Sequence, residues 1–460
     1  MRIRFAWIAA VLTLISMAIL TACSTKYSAT SNGLVVVPSQ AGGVQTVEGP
    51  VMQTFSLNLS NGSISDINNV NGPPVTGLPS SVILDPAGAY AYVATTVDCT
   101  PTLPPNTSLT SAVQGAILAY PIAADGKLGA SNPAMYLTGN SSYPGSFPTC
   151  GLDDSTNPNA GNQIAGMAID SAGKFLFVAI APGGATFTTG TNTATPTSTT
   201  AALPSPGIAV YAIGSNGGLT QVTGSPFAVQ STALTLAPSP SALAVTSTTF
   251  PAQYAPCSVV APPSTEYLYV ADSINNMLLN YAVSASGTLS LATTGTNPIP
   301  TGTLPSGVAV DPCNRFVYVS NTNSNNVSAY TVCTVITAAC TAADYSLTPV
   351  SGSPYTVGDL PGPISEDAYG GFLYVVDTGS NQISEFRIGS ANGSLTSIGG
   401  PIATGIGPNS IAVRKDDSFL FVANITAATV SDFAITPATG NLTLVTAFQT
   451  FNLPSGVAVK

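Results

Sequence analysis

A repeated unit constrains this chain more than any other feature of its sequence. Its clearest copy begins LPSGVAVDPCNRFVYVSN at Leu304, and the same opening, LPSGVAVK, starts at Leu453. The shortest spacings between copies, 47 and 46 residues, define the unit, and longer spacings add loops to it. Aligned on one position, the copies start at Pro79, Ile164, Pro240, Pro305, Pro361, Pro408 and Pro454.

Each unit is a series of short runs that alternate apolar and polar residues, separated by turns. A first run such as VAV is followed by a turn such as DPAG or RKDD, then by runs such as VYVS and NVSAYTV, and by a fourth run. Period-two alternation with β-branched and aromatic residues is typical of strands. Four strands in a period in the forties is typical of a β-propeller blade. The sequence therefore predicts an all-β, seven-bladed propeller of four-stranded antiparallel blades.

The copy at Leu453 has only a first strand, whereas residues 34–75 read as three strands without a first one. We therefore predict that the N- and C-terminal strands pair and close the ring, which removes open sheet edges. The expected domain spans 34–460. Its expected blades are 453–460 plus 34–76, 77–160, 161–236, 237–302, 303–359, 360–405 and 406–452.

The recurring PSGVAVD, FVYVSN and NVSAY segments resemble the YVTN-type propellers and the seven-bladed lactonase-like family. That family includes 6-phosphogluconolactonase-like and carboxymuconate-cyclase-like proteins, and the resemblance covers residues 34–460. Its motifs specify blade architecture more than any one activity. The resemblance implies acidic and basic channel residues with His among them, and this chain has no His.

The first 22 residues have the features of an export signal. They contain two arginines, an apolar run from Phe5 to Leu20 and small residues before Cys23. The L-T-A-C stretch resembles the lipobox of bacterial lipoproteins, and a transmembrane anchor is the alternative. We expect a signal peptide at 1–22, lipidation of Cys23 and a flexible tether through residue 33. The expected location is the bacterial cell envelope, lipid-anchored, in the periplasm or at the surface.

Charge and the lack of histidine argue against several classes of function. The 10 basic and 20 acidic residues give a net charge of −10, which disfavours nucleic acid and anionic lipid headgroups as partners. Without His, a Ser-His-Asp triad, a His general base and a His-ligated metal are impossible. The sequence also has no phosphate-binding loop, dinucleotide fingerprint or calcium loop, so we expect no metal and no cofactor.

Six cysteines remain beside Cys23, an even number in an oxidising compartment. We sort them by the propeller face that their loops reach, and we expect a structural role. The predicted disulfides are Cys99 with Cys150, Cys257 with Cys313, and Cys333 with Cys340.

Four second strands end in an Asp or Asn side chain. A ring of these side chains at a channel mouth could bind Ca²⁺ or hydroxyl-rich ligands. Asx side chains also satisfy backbone groups at β-turns, and we favour that role. The four candidate binding residues are Asp272, Asn321, Asp377 and Asn424.

Glu366 is the candidate catalytic residue. It occupies a first-strand position that is aliphatic in the other blades, so its carboxylate must be paired, shifted in pKa or solvated by the channel. An internal ion pair or a water-facing carboxylate is the alternative to a functional role. The candidate partners are Arg315, Arg387 and Arg414.

Two functions are compatible with these features. The favoured one is a non-enzymatic envelope lipoprotein whose propeller binds or scaffolds a protein or glycan partner through a loop-rich face. The alternative is a divergent lactonase, or another carbohydrate-acting enzyme, that uses Glu366 with an arginine. In both, only the lipid anchor contacts the membrane.

Overall fold

A computed structural model describes residues 33–40, 51–67, 75, 78–99, 107–129, 134–137, 163–181, 186–189, 206–229, 234–248, 265–292, 296–334, 345–450 and 453–460. The predicted signal peptide, Cys23 and all but the last residue of the predicted tether lie outside these residues. Within them no helix is long and apolar enough to span a bilayer. The described part contains no α-helix and a single 3-10 turn, Thr322–Ser324.

Seven antiparallel sheets form the blades. The first strand of each repeat unit contacts the first strands of the two neighbouring blades, which places it innermost in the ring. Blade 1 contains Gly33–Ser39 (β1), Val51–Leu57 (β2), Ile64–Asp66 (β3) and the innermost strand Ala458–Val459 (β33). Blade 2 contains Leu78–Leu84 (β4), Tyr90–Cys99 (β5), Thr107–Pro121 (β6) and Ala134–Leu137 (β7). Blade 3 contains Gln163–Ile169 (β8), Phe175–Ala181 (β9), Gly207–Ile213 (β11), Leu219–Gln221 (β12) and Phe227–Ala228 (β13).

The four remaining blades repeat this pattern. Blade 4 contains Pro240–Val245 (β14), Glu266–Asp272 (β15), Met277–Val283 (β16), Leu289–Leu291 (β17) and Ile299–Pro300 (β18). Blade 5 contains Pro305–Val310 (β19), Phe316–Asn321 (β20), Asn326–Val332 (β21), Leu347–Pro349 (β22) and Tyr355–Thr356 (β23). Blade 6 contains Pro361–Glu366 (β24), Phe372–Asp377 (β25), Gln382–Ile388 (β26), Leu395–Ser397 (β27) and Ile402–Ala403 (β28). Blade 7 contains Pro408–Val413 (β29), Phe419–Asn424 (β30), Thr429–Ile435 (β31) and Leu442–Gln449 (β32).

One strand departs from the order of the repeat. Thr186–Thr189 (β10) belongs by sequence to the unit at 161–236, yet it pairs with β6 of blade 2. It lies in the insertion that follows β9.

The predicted ring closure is confirmed. Val35 pairs with Val459 and Val36 with Ala458, in antiparallel register. The amide of Lys460 donates to the carbonyl of Leu34 over 2.8 Å, and the reverse bond is 3.2 Å. Blade 1 is therefore shared between the two ends of the domain.

The core consists of apolar clusters between neighbouring blades, one for each of the seven interfaces. Second strands such as Phe316–Asn321 are buried along their whole length, because both faces of a blade pack against other blades. In four blades a second-strand tyrosine also donates a hydrogen bond to a carbonyl in the next blade. The pairs are Tyr92 with Gly217, Tyr269 with Tyr345, Tyr318 with Gly393 and Tyr374 with Gly440, at 2.8–3.0 Å.

The two faces of the propeller carry different connections. We call the hairpin face the one with the turns that follow first and third strands, such as residues 311–315 and 389–394. The crossover face has the turns that follow second strands and the links between blades, such as residues 272–276 and 301–304.

Candidate active site

Glu366 ends β24 at the hairpin face, and both of its carboxyl oxygens are buried without a hydrogen-bond partner. Burial raises the pKa of this carboxyl well above its ordinary value, and the negative charges of Asp311 and Asp367 add to the effect. The positive charge of Arg315 lowers the pKa of Glu366, but by less than burial raises it. Glu366 is therefore a buried, unpaired acid.

None of the three candidate arginines pairs with Glu366. The guanidinium of Arg315 binds Asp311 with two bonds, 2.5 Å from Nη2 to Oδ2 and 3.0 Å from Nε to Oδ1, inside the protein. Arg387 donates to two backbone carbonyls of blade 7, and Arg414 pairs with Asp416.

The four Asp and Asn residues at the ends of second strands are fully buried. Their side chains bind turn groups and hydroxyls of their own blade or an adjoining loop, as expected for turn residues. A role in ligand binding stays a prediction. In chain order, Asp272 accepts from the Ser239 amide, Asn321 from the Gly302 amide and Asp377 from the Ser384 hydroxyl, while Asn424 donates to the Ser431 hydroxyl.

Asp417 is a further functional candidate, outside the site residues predicted from the sequence. It ends the RKDD turn of blade 7 with φ of 55°, in the left-handed region that favours glycine. Blades 2, 3, 5 and 6 have Gly88, Gly173, Asn314 and Gly370 there, with φ of 57–68°. An Asp at this glycine-type position is the sequence signal that could have identified it, since such strained residues cluster at functional sites.

The carboxyl group of Asp417 is buried, and only one of its two oxygens has a hydrogen-bond partner. Its Oδ1 accepts a 2.6 Å hydrogen bond from the Ala368 amide of blade 6, whereas its Oδ2 is buried without a partner. Burial raises the pKa of Asp417 to about 7, and the charge of Asp367 adds to the rise, against the bond from Ala368. A carboxyl with this pKa exchanges a proton near neutral pH.

A cavity of about 490 Å³ opens between blades 6 and 7 at the hairpin face. This volume lies in the range of small-molecule sites. Its walls combine acidic, basic and apolar groups. They include Asp367, Tyr369, Phe372, Arg387, Asp416 and Asp417.

Arg387 is the cation of this cavity. Its guanidinium lies 4.9 Å from the centre of the Phe372 ring. It also donates to the carbonyls of Ala438 and Thr439 at 3.3 and 3.4 Å, contacts that hold it at the cavity wall. A guanidinium has five N–H donors, so others remain for a ligand.

This arrangement can perform acid–base chemistry without histidine. A base with a pKa near 7 can take a proton from water, and a fixed cation can stabilise a developing oxyanion. Among the described residues, no group of three or more Cys, Asp and Glu side chains is placed to hold a metal ion.

Of the predicted disulfide cysteines, Cys313 and Cys333 have described side chains, and both are disulfide-bonded. The side chains of Cys99, Cys150, Cys257 and Cys340 fall outside the described set. The three pairings therefore stay predictions.

A family model described as "Lactonase, 7-bladed beta-propeller" matches residues 225–337 and 334–460. No curated protein matches the chain in sequence. The preference for a non-enzymatic binding or scaffold module is therefore wrong, because this match favours a lactonase-like enzyme.

Many solved structures are similar to this chain in fold, and three of them illustrate the likeness. A candidate 6-phosphogluconolactonase from Bacteroides fragilis has 17% identity and a TM-score of 0.60, over 94% of this chain and 99% of that one. A periplasmic gluconolactonase from Pseudomonas aeruginosa and a protein from Lactobacillus plantarum each have 17% identity and a TM-score of 0.59, over 93% and 99%. At this identity the likeness shows the fold alone.

Proposed function

Because the chain belongs to the seven-bladed Lactonase β-propeller family, we propose that it hydrolyses the ester bond of a lactone in the cavity between blades 6 and 7. The observation that carries the proposal is the carboxyl group of Asp417, which has a pKa of about 7 and an Oδ2 without a hydrogen-bond partner, in the wall of a cavity that Arg387 also lines.

Asp417 acts first as the general base. Its ionised carboxylate takes a proton from a water molecule, and the water oxygen forms a bond to the lactone carbonyl carbon. The carbonyl oxygen becomes an oxyanion, which the guanidinium of Arg387 stabilises by charge and hydrogen bonding.

Asp417 then acts as the general acid. The tetrahedral intermediate collapses, the bond between the carbonyl carbon and the ring oxygen breaks, and the leaving oxygen takes the proton from Asp417. The product is an open-chain hydroxy acid, and Asp417 returns to its ionised form. A pKa near 7 suits both steps, since the group must release the proton as readily as it accepts it.

Glu366 does not line the cavity, but it adjoins Asp367, which does. We assign it a positioning role, in which its raised pKa avoids a further negative charge next to Asp367.

The test is Asp417→Asn, which keeps an acceptor for the Ala368 amide and tolerates the left-handed backbone. The full chain is assayed on five- and six-membered lactones with and without hydroxyl or phosphate groups. We expect kcat to fall by roughly 10²–10⁴, the usual share of a general base, with KM little changed. The parent enzyme should lose activity as the pH falls below about 7, because the base is then protonated.

Asp359→Asn, the same change at an exposed carboxylate of the crossover face, is the matched control and should leave kcat unchanged. Turnover by Asp417→Asn at the parental rate, or no turnover of any lactone by the parent chain, would contradict the proposal.

A further inference from the structure

The turn of residues 367–371 (DAYGG), between β24 and β25 of blade 6, belongs to the candidate site in two ways. Its Ala368 amide donates the 2.6 Å hydrogen bond to the Oδ1 of Asp417, and its Tyr369 lines the cavity. The Ala368 bond lowers the pKa of Asp417, against the larger effect of burial. The position of this turn therefore affects both the proton affinity of Asp417 and the shape of the cavity.

A buried ion pair of blade 5 contacts the same turn. The guanidinium of Arg315 donates from Nη2 to the carbonyl of Gly370 over 3.4 Å and from Nη1 to that of Ser390 over 3.2 Å. The side chain of Arg315 is 8% exposed, and that of its partner Asp311 is 0% exposed. Arg315 thus connects blade 5 with two turns of blade 6.

Gly370 allows the backbone of the turn to pack directly on this ion pair. Its φ is 64°, and a Cβ there would overlap the Oδ2 of Asp311 and lie 3.2 Å from the Nη2 of Arg315. Any larger residue at position 370 must therefore move the turn away from blade 5.

Stability alone does not account for the ion pair. A buried ion pair seldom contributes more to stability than apolar packing of the same volume. Four other blades make the equivalent turn without the forked donors of a guanidinium. At the position of Arg315, blades 2, 3, 6 and 7 have Ala89, Lys174, Gly371 and Ser418.

We propose that Arg315 is a positioning residue of the candidate active site. Through the Gly370 carbonyl it holds the turn of residues 367–371 where the Ala368 amide stays bonded to Asp417. The expected effect on turnover rests on the proposed function, whereas the chain of contacts from blade 5 to blade 7 does not.

The inference has a consequence for protonation. The Ala368 bond favours the ionised form of Asp417, so weakening it raises the pKa of this carboxyl further above its ordinary value. Arg315→Lys keeps the positive charge beside Asp311 but loses the fork that reaches both carbonyls, so it separates geometry from charge. It leaves unchanged the other titratable or charged groups around Asp417, which are Asp367, Tyr374, Arg387, Arg414 and Asp416.

The test compares Arg315→Lys and Gly370→Ala with the parent, each as the full chain. Carbon NMR of the Asp417 carboxyl group, assigned with Asp417→Asn, gives its titration midpoint without any substrate. We expect the midpoint to rise from about 7 to about 8 in both variants, the effect of weakening one hydrogen bond to a charged group.

Turnover is measured on the lactone that the parent hydrolyses fastest, after subtraction of the uncatalysed rate. At pH 7, kcat should fall roughly fivefold, because the ionised share of Asp417 falls from about one half to about one tenth. It should recover by about pH 9, where the base is ionised again. A general disruption of the site would not be reversed by pH.

Gly173→Ala is the matched control. It makes the same change at the equivalent turn position of blade 3, where φ is 68° and the atom nearest to an added Cβ is the Cδ of Pro86 at 3.2 Å. It should lower the melting temperature, as Gly370→Ala does, but leave the Asp417 midpoint and the pH dependence of kcat unchanged.

The inference is overturned if the Asp417 midpoint in Arg315→Lys and Gly370→Ala equals that of the parent, if Gly173→Ala moves it equally, or if kcat does not recover at high pH. A parent chain that hydrolyses no lactone would contradict the proposed function, and the carbon titration would still decide whether Arg315 positions Asp417.

Discussion

At the scale of single residues, Glu366 is a buried acid that the fold tolerates without a partner. Replacing it with Val, the residue of blades 1, 4, 5 and 7 at this position, should leave the free energy of unfolding unchanged or raise it. The gain should be larger at pH 8 than at pH 5, because the raised pKa means that ionisation of the buried carboxyl opposes folding more as the pH rises. Denaturant unfolding at the two pH values measures this.

The matched comparison is Arg315→Leu, in the neighbouring ion pair. It leaves Asp311 as an uncompensated buried charge and should lower stability by about 3–5 kcal/mol. A comparable loss for Glu366→Val would mean that Glu366 is paired after all. A Glu366→Gln variant with parental stability but lower turnover would support the positioning role.

The turn position of Asp417 can be predicted from the sequence, but the environment of its carboxyl group cannot. The RKDD segment is typical of a turn, and Gly at the equivalent position of blades 2, 3 and 6 marks its last Asp as unusual. The free oxygen and the contact with Ala368 depend on how blade 7 packs on blade 6, which no local pattern encodes.

At the scale of elements, the strand of residues 453–460 should be far more important to stability than its length suggests. Its deletion exposes the edge of β1, and Val457 leaves a cluster that it shares with Val35 and Phe421. Burial of one such side chain contributes about 1.5–3 kcal/mol, and the backbone ladder is lost as well. We expect a lower melting temperature and aggregation, measured by calorimetry and light scattering.

Removal of residues 24–32, a piece of similar length, is the control and should leave the melting temperature nearly unchanged. Equal melting of the parent and both truncated chains would show that ring closure does not stabilise the fold.

Strand positions and blade number could be predicted because the repeat gives seven aligned copies of one pattern. The pairing of β10 with β6 could not be predicted, because β10 lies in an insertion outside the repeated pattern and its partner strand belongs to another blade. The hydrogen bonds of the tyrosine hydroxyls to the next blade could not be predicted either, because the repeat shows the aromatic residue but not the carbonyl that accepts its bond.

At the scale of the whole molecule, several buried carboxyls make stability depend on pH. Burial raises the pKa of Glu266, Asp417 and Asp432 to about 7 and that of Asp377 to about 6. Between their ordinary values near 4 and these values, the folded protein binds more protons than the unfolded chain. The free energy of unfolding should therefore fall as the pH rises from about 4 to 7 and then level off.

Melting temperatures across this pH range test the prediction, and Asp432→Asn should flatten the curve because both Asp432 oxygens are buried without partners. A stability that rises with pH in this window would contradict these shifts.

The same carboxyls explain why the lack of His is weak evidence against catalysis. The lack of His excludes imidazole chemistry, yet it does not remove proton transfer near neutral pH, because burial brings aspartates such as Asp417 into that range. Composition records which side chains are present, whereas the pKa depends on where the fold places them.

The pairing of Val35 with Val459 also determines when in its synthesis the protein can finish folding. β1 is made early, and its inner partner, Ala458–Val459, is the last of the described strands to be made. Until then the nascent chain carries an open strand edge, and closing a loop of this length is slow. The ring can therefore close only after these two residues have been made.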